Sequence, residues 1–409
     1  MKKYVYFLPL LTLFACQSPS ESDDAVVETP ENFEEVWRAE ITIVDSIKLP
    51  FTFTSMNGGE LLLIENGEEI IEVDSSRVEG DSTYFYLPVF PTAFVVHRTE
   101  DLWNGYWIRL DQDNYRLPFK AEKGLDFRFS DGCDAFDNLA PRWEVHTKVT
   151  SEKPLPAIGQ FQTDEAGNVT GSFARETGDY RFLAGSMCGN TLNLSTFDGT
   201  HAYVFTAELV NDTLRGYHYS GKGYAEPWMG IPSETFELRD PTQLTFLKDG
   251  YDGVEFTLPL PNGELFTFNG QSESGPTIIQ IMGSWCPNCM DETQYFNQLH
   301  ARYADRGLNF IGVTFEYKSE LEEARPSINK MIEDLEIPYP VVFGGRASGD
   351  RIAEVLPMID NFMSYPTSIF IDKNGNVRLI HTGFNGPGTN EYIPYTEETD
   401  AFIQELLAE

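Results

Sequence analysis

Thr277-Ile278-Ile279-Gln280-Ile281-Met282-Gly283-Ser284-Trp285-Cys286-Pro287-Asn288-Cys289 is the stretch on which the fold of this chain turns. Its first six residues are an apolar run of strand length and read as a buried strand. Pro287 suits the first position of a helix, where the missing amide costs nothing, so a helix is expected from Pro287 to about residue 306. Cys286 then stands at a strand-to-helix junction, where unpaired amides and the helix dipole stabilise a thiolate. Thiols so placed have pKa values of about 3.5–7.5. Cys289 lies three residues on, on the same helical face and close enough to close a disulfide ring. The helix end is expected to expose Cys286 and to bury Cys289.

Glu292 follows on that face after three more residues. A carboxylate there can accept the proton of Cys289, which would otherwise stay a poor nucleophile. The plainer reading is an N-terminal-turn acid that complements the helix dipole. Further along, Tyr365-Pro366-Thr367 stands immediately before the apolar run Ser368-Ile369-Phe370-Ile371-Asp372. Proline just before a sheet strand is confined to edges or turns, and a cis bond is a common reason for it.

Outward from these two motifs, strands and helices alternate. A second strand is expected over residues 308–315 and a helix over 319–336, broken in the middle by Pro326. Residues 368–372 and 377–382 read as a hairpin across Lys373-Asn374-Gly375-Asn376, and a last helix is expected over 396–407. The order β-α-β-α-β-β-α is the thioredoxin arrangement, preceded by an extra strand pair around residues 254–268.

With Trp285-Cys286-Pro287-Asn288-Cys289, Glu292 and Pro366-Thr367 in place, residues 283–292 and 364–372 resemble the TlpA-like family of membrane-tethered, extracytoplasmic thioredoxin-like proteins. The resemblance covers about the last 170 residues, 241–409. It implies a thiol–disulfide oxidoreductase that reduces disulfides in exported proteins, with electrons from a membrane redox donor and no cofactor. It also implies a cis-proline at Pro366 facing the cysteine pair and presenting backbone to an extended substrate. Two positions depart from the pattern. Gln280 stands where cytoplasmic thioredoxins keep a buried acid, leaving proton handling to Glu292. Tyr365 is bulkier than the aliphatic residue often found before the cis-proline, and its ring would narrow the substrate groove.

Residues 37–240 have a different texture: short alternating runs such as Thr83-Tyr84-Phe85-Tyr86-Leu87, divided by turns such as Asn66-Gly67. An antiparallel β-sandwich or barrel is the natural architecture, so the fold class is multidomain, β-rich and then α/β thioredoxin. Residues 90–107 and 197–218 share a weak similarity, which fits either a duplicated half-barrel or the sameness of all β-meanders. His97, His146, His201 and His218 are scattered without metal-ligand spacing, and only a concave barrel interior offers itself as a binding site.

The N-terminus places the chain. Lys2 and Lys3 precede an apolar stretch over residues 4–14 that is too short to span a bilayer and suits a signal-peptide core. Leu13-Phe14-Ala15-Cys16 resembles the bacterial lipobox, although Phe14 is bulkier than usual, and implies cleavage before Cys16 and lipidation of its thiol. A plain secretory signal with an incidental cysteine is the alternative. Residues 1–16 are thus read as signal peptide and 17–36 as a solvated tether. The chain is expected in the cell envelope, lipid-anchored on the periplasmic or outer face of a bacterial membrane.

Cleavage would remove two lysines and move the formal charge from −35 to −37. With 64 acidic against 29 basic residues, such a surface repels phosphate backbones and argues against nucleic-acid partners. Of five cysteines, Cys16 goes to lipid; Cys133 and Cys188 remain beside the Cys286/Cys289 pair, either as a structural disulfide or as two buried thiols. A zinc site would need two more ligands, and His300 is the only close histidine. A peroxidase on the same fold lacks its usual Pro-Thr-Cys context. A surface lipoprotein whose β-rich half binds a ligand or partner, with redox secondary, is the reading from a different class.

Overall fold

The computed structural model describes residues 34–130, 132, 139–270 and 275–409. Cys16, Cys133 and the signal-peptide segment lie outside the described residues.

The β-rich half is two successive antiparallel meanders. In the first, nine strands between residues 35 and 123 form one sheet, in which the opening strand Glu35–Thr42 pairs with both its successor Lys48–Met56 and the last strand Arg116–Lys123. Its alternation is strict: Trp37, Ala39 and Ile41 point inward and meet Phe53, Phe51 and Leu49 across the ladder. In the second, eight strands close into a barrel as Arg142–Thr147 pairs with Tyr224–Pro232, which leaves no free sheet edge. Among the described residues of this half there is no α-helix, only a short 3-10 turn at Val44–Ser46.

Two expectations change here. Eight strands leave just enough room for side chains, and Trp143, Phe173, Phe205 and Trp228 fill the barrel, so its interior is a packed core and not a binding site. His218 is part of that core, stacked on Phe205. The similar segments 90–107 and 197–218 prove to be equivalent hairpins of the two meanders. They correspond to Thr92–Arg98 with Leu102–Arg109, and to Ala202–Val210 with Thr213–Ser220. In each, a glycine (Gly105, Gly216) opposes a backbone so close that any Cβ would strike a carbonyl oxygen. The two segments thus lie in separate sheets and are not two halves of one barrel.

The thioredoxin unit has a five-stranded sheet: β1 Thr277–Met282, β2 Asn309–Glu316, β3 Val341–Arg346, β4 Thr367–Ile371 and β5 Val377–Thr382. Their spatial order is β3-β2-β1-β4-β5, with β1 parallel to β2 and antiparallel to β4. Helices α1 Pro287–Tyr303, α2 Leu321–Asp334 and α4 Tyr392–Ala408 cover one face, and α3 Gly349–Val355 with the hairpin Phe256–Pro259/Leu265–Phe268 covers the other. Sandwiched so, β1 sends Ile278 and Met282 to one core and Ile279 and Ile281 to the other, which is why its sequence is a continuous apolar run.

Pro326 does not break α2. The helix runs unbroken through it, the lost hydrogen bond being offset by burial of Ala324, Ile328 and Met331 on its inner face. Strand β3 and helix α3 are additions to the expected order; their short segments carry too little periodicity to be read alone.

Candidate active site

The loop between β1 and α1 is pinned from below. Glu316, at the end of β2, accepts from the Ser284 amide at 3.0 Å and the Ser284 hydroxyl at 2.6 Å, and also from Thr314. Burial raises its carboxyl above the usual range, while the Ser284 and Thr314 bonds oppose the rise. The Trp285 indole donates to the Phe315 carbonyl at 2.9 Å and stacks on Tyr317. Gly283 is required here, since a Cβ would stand 2.5 Å from that indole nitrogen.

This loop delivers Cys286 to the N-cap of α1, where its sulfur accepts the Cys289 amide at 3.2 Å. The two cysteines are joined in a disulfide, with Cα atoms 5.3 Å apart. Cys289 is wholly buried, as its place inside the helix requires. Cys286 is only 4% exposed, which corrects the expectation of an open helix end. Trp285 and Tyr365 of its own unit and Thr177 and Arg181 of the barrel line the cleft around it. Tyr365–Pro366 is cis. The Tyr365 ring meets Trp285 edge-on at 5.3 Å and lines the same cleft as Cys286.

Glu292 is fully buried behind the disulfide. Gln280 Nε2 donates to Glu292 at 2.9 Å and to the Cys289 carbonyl at 3.2 Å, and Tyr395 donates to the other carboxylate oxygen at 3.3 Å. Burial pushes the Glu292 carboxyl up to about 7, against the pull of these hydrogen bonds. Glu292 stands in the second turn of α1, whose first turn carries no acid, so it is not the N-terminal-turn acid of the plainer expectation. It is a buried acid whose carboxyl takes up its proton near neutral pH because burial disfavours the charge.

Sequence reasoning missed a group that the barrel contributes. Arg181 makes two 2.8 Å bonds to Asp291, in the first turns of α1, and a 2.6 Å pair with Glu69 from the first sheet. Asp179 accepts from Asn288 at 2.6 Å and from the Gly386 amide at 2.7 Å. No local signal marks these residues, because partners 110 positions apart meet only in the folded chain. Although burial opposes its charge, Asp291 and Glu69 hold the Arg181 guanidinium above its ordinary pKa. Arg181→Ala would leave two buried carboxylates without their counter-charge. A stability loss of about 3–5 kcal/mol is expected, read as a lowered urea midpoint; an unchanged midpoint would show that solvent replaces the arginine.

Of the remaining expected residues, Cys188 ends the strand Leu183–Cys188 and is disulfide-bonded. His300 packs against Phe310 and Tyr339. Among the described residues no cluster of His, Cys, Asp or Glu is arranged to hold a metal, and no helix is long and apolar enough to cross a membrane.

The five-stranded sheet, the helix-capped cysteine pair and the cis-proline define a thioredoxin-fold thiol–disulfide oxidoreductase. Residues 250–380 match the AhpC/TSA family. The thiol-disulfide oxidoreductase ResA of Geobacillus kaustophilus is 28% identical over 142 residues, covering 35% of this chain and 74% of that protein. The thiol:disulfide interchange protein DsbE of Vibrio cholerae is 30% identical over 150 residues, covering 35% and 70% respectively. Among solved structures, a DsbE-type protein from Chlorobium tepidum aligns over 39% of this chain and 99% of its own, at 24% identity and a TM-score of 0.30. Through its C-terminal part the chain belongs to the TlpA-like thiol–disulfide oxidoreductases of the ResA and DsbE kind.

Proposed function

We propose that this protein is an extracytoplasmic disulfide reductase that works through Cys286 and Cys289, held at the membrane by a lipid on Cys16. The observation that carries the reading is the Cys289 amide donating to the Cys286 sulfur at the start of α1. A backbone donor and a helix N-terminus aimed at one sulfur favour its thiolate.

In the reduced protein the Cys286 thiolate attacks one sulfur of a substrate disulfide. A mixed disulfide forms and the first substrate thiolate leaves. Cys289 gives its proton to Glu292, directly or through a water, and attacks the Cys286 sulfur. The second substrate thiolate then leaves, and two electrons have passed to the substrate. The Pro366 backbone aligns the substrate sulfur beside Cys286, and Trp285 with Tyr365 walls the site. A membrane dithiol donor would restore the reduced pair. Exported-protein disulfides are the substrates that the family resemblance supports. The test is dithiol-driven disulfide reduction by the full-length protein against a variant with both cysteines changed to alanine. Equal rates would defeat the reading.

For the anchor, replacing Cys16 with serine is expected to abolish fatty-acid labelling and to release the protein from the membrane fraction. Membrane retention after that change would point to a different attachment. A Cys133–Cys188 disulfide would fit the same reading of an oxidising compartment.

A further inference from the structure

The chemistry above uses the thioredoxin unit alone, yet the barrel stands over Cys286. Its segment 176–182 lies backbone-to-backbone on residues 383–388. A Cβ on Gly383 would sit 2.7 Å from the Glu176 carbonyl oxygen, and one on Gly388 would sit 2.7 Å from that of Arg181. Gly383 in turn donates its amide to the Pro366 carbonyl at 2.9 Å, so the barrel is seated directly beside the cis-proline. Asp179 clasps Asn288 and Gly386, and Arg181 clasps Asp291. What is left open is a cleft of about 250 Å³. Arg175, His201 and Tyr203 line it from the barrel, and Trp285, Cys286 and Tyr365 line it from the thioredoxin unit.

An extended polypeptide needs about 4.8 Å beside the strand it pairs with, along its whole length. The barrel loop that Asp179 and Arg181 fasten to Asn288 and Asp291 leaves no such lane beside Cys286, and a disulfide reaching that sulfur must enter through the cleft. Small-molecule sites commonly measure about 300–1,000 Å³, so this half-open cleft holds one arm of a small disulfide while the other arm stays at its mouth. Its charge is also defined. Asp198 is committed to His201 and to the Thr200 and His201 amides, and Asp179 to its own partners. Arg175 spends Nε on the Gly178 carbonyl and Nη1 on the Tyr180 hydroxyl, and lies 4.2 Å over the Tyr180 ring. Its Nη2 faces no partner among the described residues, which leaves a fixed cation for a carboxylate.

We propose that the barrel is the second wall of the substrate site, and that the docked protein takes low-molecular-weight disulfides bearing carboxylates, of the amino-acid or short-peptide kind, while shutting out disulfides of folded proteins. The inference rests on the oxidoreductase reading and puts small disulfides in place of the protein disulfides that the family resemblance alone supports. The electron balance is that given above: the dithiol loses two electrons and closes its disulfide, and the small disulfide becomes two thiols.

The test uses pre-reduced full-length protein in single-turnover reactions, quenched by acid and alkylation. Oxidised glutathione, neutral hydroxyethyl disulfide and insulin serve as oxidants. Gly388→Val wedges the barrel away without removing a charge, and Asp179→Ala loosens the same contact if the first variant does not fold. Either is expected to raise the insulin rate at least about tenfold and so lower the glutathione-to-insulin ratio. Arg175→Gln is expected to slow oxidised glutathione about tenfold while leaving hydroxyethyl disulfide within about twofold. If limited proteolysis shows the barrel released and the ratio is unchanged, the filter is overturned while the oxidoreductase reading stands. Equal slowing of charged and neutral disulfides by Arg175→Gln overturns the carboxylate assignment. If no disulfide oxidises the pair in docked or released protein, the oxidoreductase reading itself falls, and the filter with it.

Discussion

Cys289→Ser should convert this protein into a trap. Once Cys286 has attacked a substrate disulfide, only the Cys289 sulfur is placed to release it, so the mixed disulfide should accumulate to roughly one per chain. Turnover should fall to the uncatalysed background. Cys286→Ser should reach the same background without trapping anything, because the remaining thiol is fully buried and its sulfur has no helix-end amide of its own. Non-reducing mass measurement after incubation with oxidised glutathione separates the two variants by the added thiol. Equal trapping by both, or by neither, would overturn the assignment of attacking and resolving roles. The asymmetry comes from one hydrogen bond: Cys286 is the sulfur that receives an amide at 3.2 Å.

Glu292→Gln carries the second large effect. Loss of a positioned general base typically costs about 10²–10⁴-fold, and here the resolving step should bear it. With the carboxyl pushed up to about 7 by burial, wild-type resolution should speed up as pH rises through that value, and the glutamine variant should lose that limb. Removing the carboxylate should also lower the pKa of the neighbouring thiols, by ending like-charge repulsion.

Stability should move the other way. Below pH 4.5 folded and unfolded chains both hold the proton. Between 4.5 and about 7 the folded state holds a proton that the unfolded chain has lost, so stability falls as pH rises. The contribution lost is of the order of 3 kcal/mol, complete above the folded pKa. Glu292→Gln should therefore be the more stable protein at pH 8 and close to wild type at pH 4, although it is the slower enzyme. Denaturant curves at both pH values, with exchange rates beside them, check the pair of effects. Unchanged rates, unchanged thiol titration and parallel pH–stability curves would leave Glu292 as a buried acid without a catalytic part. Gln280 explains why such an acid is tolerated: it cannot ionise, and it bridges Glu292 to the Cys289 carbonyl.

What the sequence by itself determined is the local chemistry. An apolar run, a glycine, two cysteines three apart and a proline between them specify a strand, a turn and a helix start, and those dictate which sulfur meets an amide. Pro366 before its strand and Glu292 on the cysteine face follow from periodicities of the same short range, as does the alternation that makes the first half β. Only the tertiary structure decided the rest. The barrel interior is solid because eight strands enclose a space that Trp143, Phe173, Phe205 and Trp228 fill together, and no one of them announces that volume. The barrel meets the start of α1 beside Cys286 because Asp179 and Arg181 reach Asn288 and Asp291 from more than a hundred residues away. Such contacts depend on how two folded units dock, and the residues that make them carry no periodic or spacing signal that a linear reading could use.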